Sequence, residues 1–153
     1  MRGVSAERLI FAPRLPSVSE HLRRIAAADL FLDTVPFNAH STAIDALSMC
    51  VPVVTVPGAT MAARTCASIV AAAGMPELIA GSRAQYEELA IGFARSRPAF
   101  ADMKAKLKLM QSTAPLFDPA LFVADFETAL CAMHERYVSD LQPDDLALAE
   151  RRI

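Results

Sequence analysis

The stretch Phe37-Asn-Ala-His40-Ser41-Thr42-Ala-Ile-Asp45 gathers side chains suited to holding a phosphorylated ligand. A helix beginning near Ser41 would offer free N–H donors and partial positive charge, which can hold a phosphate. His40, Ser41 and Thr42 would add side-chain donors at the same spot. Asp45 follows Thr42 by three residues, so it lies one turn deeper on the same face, where its carboxylate could accept from a sugar hydroxyl. A plainer reading accounts for the same residues: Ser41 or Thr42 caps the helix, Asp45 offsets its dipole, and His40 is a solvated loop residue.

Two other short stretches carry candidate groups. In Ser19-Glu-His21-Leu-Arg23-Arg24, i,i+3 spacing puts His21 and Arg24 on one face. There an imidazole could stack on a base and a guanidinium could present fixed donors to carbonyl groups. The alternative is a charged surface turn with Ser19 as the cap. Pro57-Gly58-Ala-Thr60-Met-Ala-Ala-Arg64 joins a turn glycine to small residues, which suit close backbone approach to a ligand and helix packing equally. The chain has no G-x-G-x-x-G, no P-loop and no acidic pair after a strand that would hold a divalent metal. Asp144-Asp145 sits in the tail, far from any strand end.

Apolar runs of strand length must position these groups. They fall at residues 9–12, 30–33 and 52–56, with a weaker one at 77–80, and are almost unbroken, as where helices cover both faces of a parallel sheet. Helical patterns at 19–28, 41–50 and 61–73 lie between them, the last ending at Gly74, a C-cap residue. The alternation predicts an α/β fold, a Rossmann-like parallel sheet with helices on both faces and right-handed crossovers. Ligands then bind beyond the carboxyl ends of the strands, where all three candidate stretches lie. Two longer helical stretches follow, one over 83–93 continuing past Pro98 as 100–111, the other over 119–138. The second has apolar residues at Leu121, Phe122, Phe126, Leu130, Met133 and Tyr137, a face that should lie on something. The charged tail, 139–153, is expected to fray.

At 153 residues the chain has room for one domain that buries about two thirds of its unfolded surface. A net charge of −2 without a basic stripe argues against nucleic acid as a partner. Cys50, Cys66 and Cys131 form no C-x-x-C pair, so neither a disulfide framework nor a zinc knuckle is expected, and a reducing compartment fits best. No signal-peptide core or long uncharged run is present, which predicts a cytoplasmic protein that does not engage membranes.

Order and spacing together resemble the C-terminal region of the O-GlcNAc transferases and their bacterial relatives, a GT-B glycosyltransferase family (family 41) that moves GlcNAc from UDP-GlcNAc to Ser or Thr of proteins. The matching stretches are Arg8-Leu-Ile-Phe-Ala-Pro13, Glu20-His21-Leu-Arg23-Arg24, Ala28-Asp-Leu-Phe-Leu-Asp33-Thr34, Asn38-Ala-His40-Ser41-Thr42, Asp45-Ala-Leu47, Pro52-Val-Val-Thr55, Pro57-Gly58 through Thr60, and 64–68. The similarity runs to about Tyr137. It makes residues 8–138 a partial C-terminal donor-binding lobe, with 139–153 as tail. The resemblance implies that His21 lies against the uridine, Arg24 contacts the uracil, and Asp45 binds the ribose hydroxyls. It places Ser41 and Thr42, with their backbone N–H groups, on the diphosphate, and has His40 close the pyrophosphate end. UDP or UDP-GlcNAc is then the ligand, and no metal is expected.

The chain also departs from the family pattern. The family lysine that supports the ribose has no counterpart in Pro16-Ser-Val-Ser-Glu20. Losing one such charged hydrogen bond costs on the order of 1.5–3 kcal/mol, ten- to a hundredfold in affinity. Ser48 and Cys50 stand where the family commonly has Trp and Gly. Two further strands, the lysine between the lobes and the N-terminal lobe with its catalytic histidine would precede residues 9–12 in the family and are not in this sequence. With those strands gone, residues 9–12 are expected either to pair directly with residues 30–33 or to leave an exposed sheet edge through which the chain self-associates. Two functions follow: the donor-binding module of an inverting, metal-independent transferase, incomplete alone, with a protein acceptor engaged through missing regions; or a non-catalytic, degenerate fragment that binds UDP weakly or serves as an interaction module. A dehydrogenase is disfavoured by the missing glycine fingerprint.

Overall fold

Consecutive valines with no polar alternation suit a strand covered on both faces. In the computed structural model, which describes residues 3–148, Val53–Val54 forms such a strand (β2), fully buried. It pairs in parallel with Phe31–Leu32 (β1), Phe31 opposite Val53 and Leu32 opposite Val54. The sheet extends by one parallel bridge from Thr55 to Ile79. There the Thr55 N–H donates to Leu78 O (3.1 Å) and the Ala80 N–H to Thr55 O (2.8 Å). The expected strand at 77–80 is thus reduced to a 3-10 turn, Pro76–Leu78, and a single bridging residue.

Six α-helices surround this strip among the described residues: α1 (Val18–Ala26), α2 (Ser41–Ser48), α3 (Thr65–Ala72), α4 (Arg83–Arg95), α5 (Arg97–Met110) and α6 (Pro119–Val138). The α/β reading of the sequence is borne out, as is the parallel pairing. The expected helix over 61–73 begins instead as a 3-10 turn, Met61–Ala63, and becomes α3 only after Arg64. Ser96 separates α4 from α5. Its hydroxyl accepts from the Ala99 N–H at 3.4 Å, and Pro98 follows inside the first turn, where its missing N–H does no harm. The core joins α2 (Ala43, Ala46, Leu47), β2, α3 (Cys66, Val70), Met75, Leu78 and Leu107, all fully buried. Burying one such Leu or Val contributes about 1.5–3 kcal/mol.

Two expectations are overturned. Residues 9–12 form no strand and do not pair with β1, whose outer edge stays open; Ile10 is 87 % and Phe11 91 % exposed. A strand needs a neighbouring ladder of N–H and C=O groups to exist, and this run is paired with none. The apolar face of α6 stays mostly uncovered within the described residues: Leu121 is half-buried, but Phe122 is 68 % and Tyr137 81 % exposed, and no residue of this helix is fully buried. Beyond it, residues 141–148 carry no regular structure, tied back where the Arg136 guanidinium donates to Gln142 O. Residues 149–153 of the expected frayed tail lie outside the described residues.

Three helices end the same way. After α3, the Gly74 N–H reaches Ala71 O (2.9 Å) and the Met75 N–H reaches Val70 O (3.1 Å), with Gly74 at φ +73°. Paired bonds of this kind satisfy carbonyls that the helix end would leave free, and they require a left-handed residue. Cys50 (φ 60°) does this for α2 and Asp140 (φ 55°) for α6. At Cys50, where glycine would be at ease, a side chain costs about 1 kcal/mol in that conformation.

At Gly74 a Cβ would also stand 2.7 Å from Met110 Sδ. Gly74→Ala is therefore expected to lower stability by about 1–2 kcal/mol in urea titration, chiefly from the backbone, with the Met110 side chain moving aside. Unchanged stability would show that the turn relaxes without cost.

Candidate functional site

The loop from β1 to α2 is built on one buried carboxylate. Asp33, 5 % exposed, ends the strand and turns inward. Its Oδ1 accepts from the backbone N–H groups of Thr34 (2.8 Å) and Ala39 (2.7 Å), and its Oδ2 from the Thr55 hydroxyl (2.6 Å). Its carbonyl accepts from the Tyr86 hydroxyl of α4 at 2.9 Å. An ionised carboxylate is costly to bury without donors, and three are supplied here. The loop is then closed on itself. The Thr34 hydroxyl donates to Phe37 O (2.7 Å), the Asn38 amide to Thr34 O (2.9 Å), and the Asn38 N–H to Ala62 O in the Met61–Ala63 turn (3.1 Å).

The loop delivers His40 to the N-cap of α2. Its carbonyl accepts from the Ala43 N–H (3.0 Å), yet no side chain caps the helix. By contrast Ser17, Ser82, Ser96 and Asp118 cap α1, α4, α5 and α6. Ser41 and Thr42 are exposed in the first turn of α2 and do not cap it, so the plainer reading of these two residues is not the one realised. The His40 ring stacks on exposed Phe37, centroids 5.1 Å apart at 17°, and its Nε2 is buried without a partner. A buried ring nitrogen with nothing to bond is unusual and marks a position where a ligand atom would be welcome.

His21, Arg24 and Asp45 also come together. The Arg24 guanidinium donates to His21 Nδ1 at 3.1 Å and to Pro13 O, and His21 Nε2 lies 3.6 Å from Asp45 Oδ2. A guanidinium has no acceptor, so Nδ1 supplies the lone pair and the imidazole proton sits on Nε2, facing the carboxylate. At 3.6 Å that contact orients the ring without saturating Asp45. The cap of α1 is Ser17, whose hydroxyl accepts from the Glu20 N–H (3.2 Å), and not Ser19 as expected from sequence.

All six candidate side chains therefore stand on α1, α2 and the turn before α2, at the carboxyl end of β1. The stretch 57–64 contributes through its backbone. A Cβ on Gly58 would meet Ala63 Cβ at 2.8 Å, and Gly58 N–H donates to Ala63 O, so its small residues serve packing inside that loop. A cavity of about 580 Å³ lined by Leu30, Phe93 and Phe100 lies at the amino end of β1, away from these groups. No three His, Cys, Asp or Glu among the described residues are placed to hold a metal ion.

Sequence reasoning missed Asp33, Thr55, Tyr86 and Cys66. The available signal was an acidic residue closing an apolar run next to a hydroxyl residue closing the next one. The Cys66 thiol, fully buried beside this group, is pushed up to about 12, mainly by burial and then by the negative charge of Asp33. Tyr86 is raised for the same two reasons, burial first.

Comparison with known proteins places the chain in context. The profile of glycosyl transferase family 41 matches residues 1–126. The chain is 34 % identical over 145 residues to a UDP-N-acetylglucosamine–peptide N-acetylglucosaminyltransferase of Caenorhabditis elegans, covering 95 % of this chain and 12 % of that protein. It is 33 % identical over 150 residues to the probable enzyme of the same description, SEC, from Arabidopsis thaliana, covering 97 % and 15 %. A solved structure of a mutant Thermobaculum terrenum O-GlcNAc transferase matches with 32 % identity and a TM-score of 0.78, over 86 % of this chain and 25 % of that one.

Because the folded chain holds the Cys66 and Tyr86 protons more tightly than the unfolded chain does, stability is complete below the ordinary thiol value of 9.0 and falls as pH rises toward about 12. The thiol contributes up to ~1.4 kcal/mol per pH unit while only the unfolded form is ionised. Urea midpoints measured between pH 8 and 10.5 should decline, and the decline should be shallower in Cys66→Ala; equal slopes would show that the thiol does not take part.

Proposed function

The chain belongs to glycosyl transferase family 41, and from that premise we propose that it is the UDP-GlcNAc-binding portion of an inverting O-GlcNAc transferase acting on Ser or Thr of proteins. The observation that carries the reading is the uncapped start of α2, with exposed Ser41 and Thr42 in its first turn and the unpartnered His40 Nε2 beside it. In this proposal the amides and hydroxyls of Ser41 and Thr42 hold the diphosphate, His40 closes its far end, and Asp45 accepts from the ribose hydroxyls. His21 lies against the uridine, and Arg24, held by Pro13 O, presents its donors to the uracil.

In the transfer step the acceptor oxygen bonds to the anomeric carbon as the bond to the diphosphate oxygen breaks, so charge grows on the leaving UDP. Donors already aimed at that position stabilise it without a metal. The chain spans 12–15 % of the length of the curated relatives compared. We accordingly assign it donor binding and place the remaining positioning and the protein acceptor on polypeptide beyond these 153 residues. The cytoplasm is the proposed location. No helix among the described residues is long and apolar enough to cross a membrane.

The open edge of β1 and the exposed, unpaired residues 9–12 favour a second reading, a degenerate module that binds UDP weakly and associates with another chain, its own copy included, through that edge. The missing lysine in the loop at 16–20 points the same way.

Calorimetric titration with UDP tests the first reading. Saturable binding is expected, weakened about ten- to a hundredfold in Asp45→Ala, as for a lost charged hydrogen bond, and less in His21→Ala. No heat at millimolar UDP would end the donor-binding reading and leave the second.

A further inference from the structure

Asp33 lies outside the set of residues given a ligand role, yet the loop that leads into α2 is tied to it. Its Oδ1 holds the first and sixth residues of the loop that follows it, Thr34 and Ala39, and the latter directly precedes His40. Thr55 locks the same carboxylate to the end of β2, and Tyr86 locks its carbonyl to α4. The loop therefore cannot slide along the strand without breaking charge-assisted bonds in a buried setting, where lost partners are costly. The start of α2 has no side-chain cap to hold it in place. Its direction is instead imposed from behind.

We propose that Asp33 is the positioning residue of the diphosphate site: by clamping the N–H groups of Thr34 and Ala39 it sets where His40 and the first-turn amides of α2 stand before ligand arrives. This rests on the reading of α2 as the diphosphate site. Preorganised donors bind developing or full charge without reorganising at that moment, and a displacement of about 1 Å can cost on the order of a hundredfold. Thr55 and Tyr86 act through Asp33, one on each side. Asparagine is the conservative substitute: its carbonyl oxygen can accept from both N–H groups, and its amide can donate to a rotated Thr55 hydroxyl.

The test uses the whole chain with UDP as probe and amide hydrogen exchange as a ligand-free measurement. Asp33→Ala should weaken UDP binding at least about tenfold and speed exchange at Ala39 and through 40–42. Asp33→Asn should return both to within about threefold of the parent. Val70→Ala, which destabilises the core away from the loop, should leave UDP affinity and loop exchange unchanged, which a merely structural effect would not allow. Parent-like affinity and exchange in Asp33→Ala, or equal losses in Val70→Ala, would overturn the proposal. If Asp33→Ala fails to fold, Thr55→Val and Tyr86→Phe each remove one support and should show intermediate losses, and parent-like values in both would overturn it. If the parent takes up no UDP, the donor-binding reading falls by itself, and exchange at 39–42 in the same variants decides whether Asp33 positions the loop.

Discussion

A carboxylate taken out of water must be given donors, and at Asp33 the chain meets that demand in a way that organises everything around it. Two donors come from the loop it begins, one from Thr55 just after β2 and, through its carbonyl, one from α4. The sheet is only two strands and a bridge wide, too little to define a ligand platform by hydrogen-bond ladders alone. Side-chain bonds to Asp33 do that work instead. Burial first, and then the nearby charge of Asp33, raise the thiol of Cys66 and the phenol of Tyr86.

The other end of α2 is held as firmly. The Gln111 amide, at the end of α5, donates to Leu47 O (2.8 Å) and Ser48 O (2.9 Å), and Cys50 in its left-handed conformation satisfies further carbonyls. Between these ends, Ala43, Ala46 and Leu47 are fully buried against β2 and α3. The eight-residue helix would be marginal in isolation. Packing and its two anchored ends make it a rigid presenter of Ser41, Thr42 and Asp45.

Much of this was legible in the sequence because it is local. The span of α6, 119–138, follows from its own periodicity and from Asp118 and Pro119 at its start, and the parallel pairing of β1 with β2 follows from two apolar runs flanking a helical one. The six candidate site residues fall together because they sit on two adjacent helices and one turn. What stayed hidden depends on partners distant in sequence. Residues 9–12 look like a strand in isolation, but a strand exists only with a neighbour. The α6 face looks like core, but most of it stays exposed among the described residues. Asp33 reads as any acidic loop residue until Thr55 and Tyr86, 22 and 53 positions away, are seen against it.

The missing side-chain cap on α2 has a consequence for how this chain can evolve. The N–H groups at a helix start can serve a built-in side chain or an incoming guest, and a Ser or Asp at position 40 would strengthen the fold by about 1 kcal/mol by taking them permanently. The histidine that stands there leaves the protein slightly softer at the spot where the site opens. The same trade stands at α3, whose start at Arg64 has no side-chain cap either.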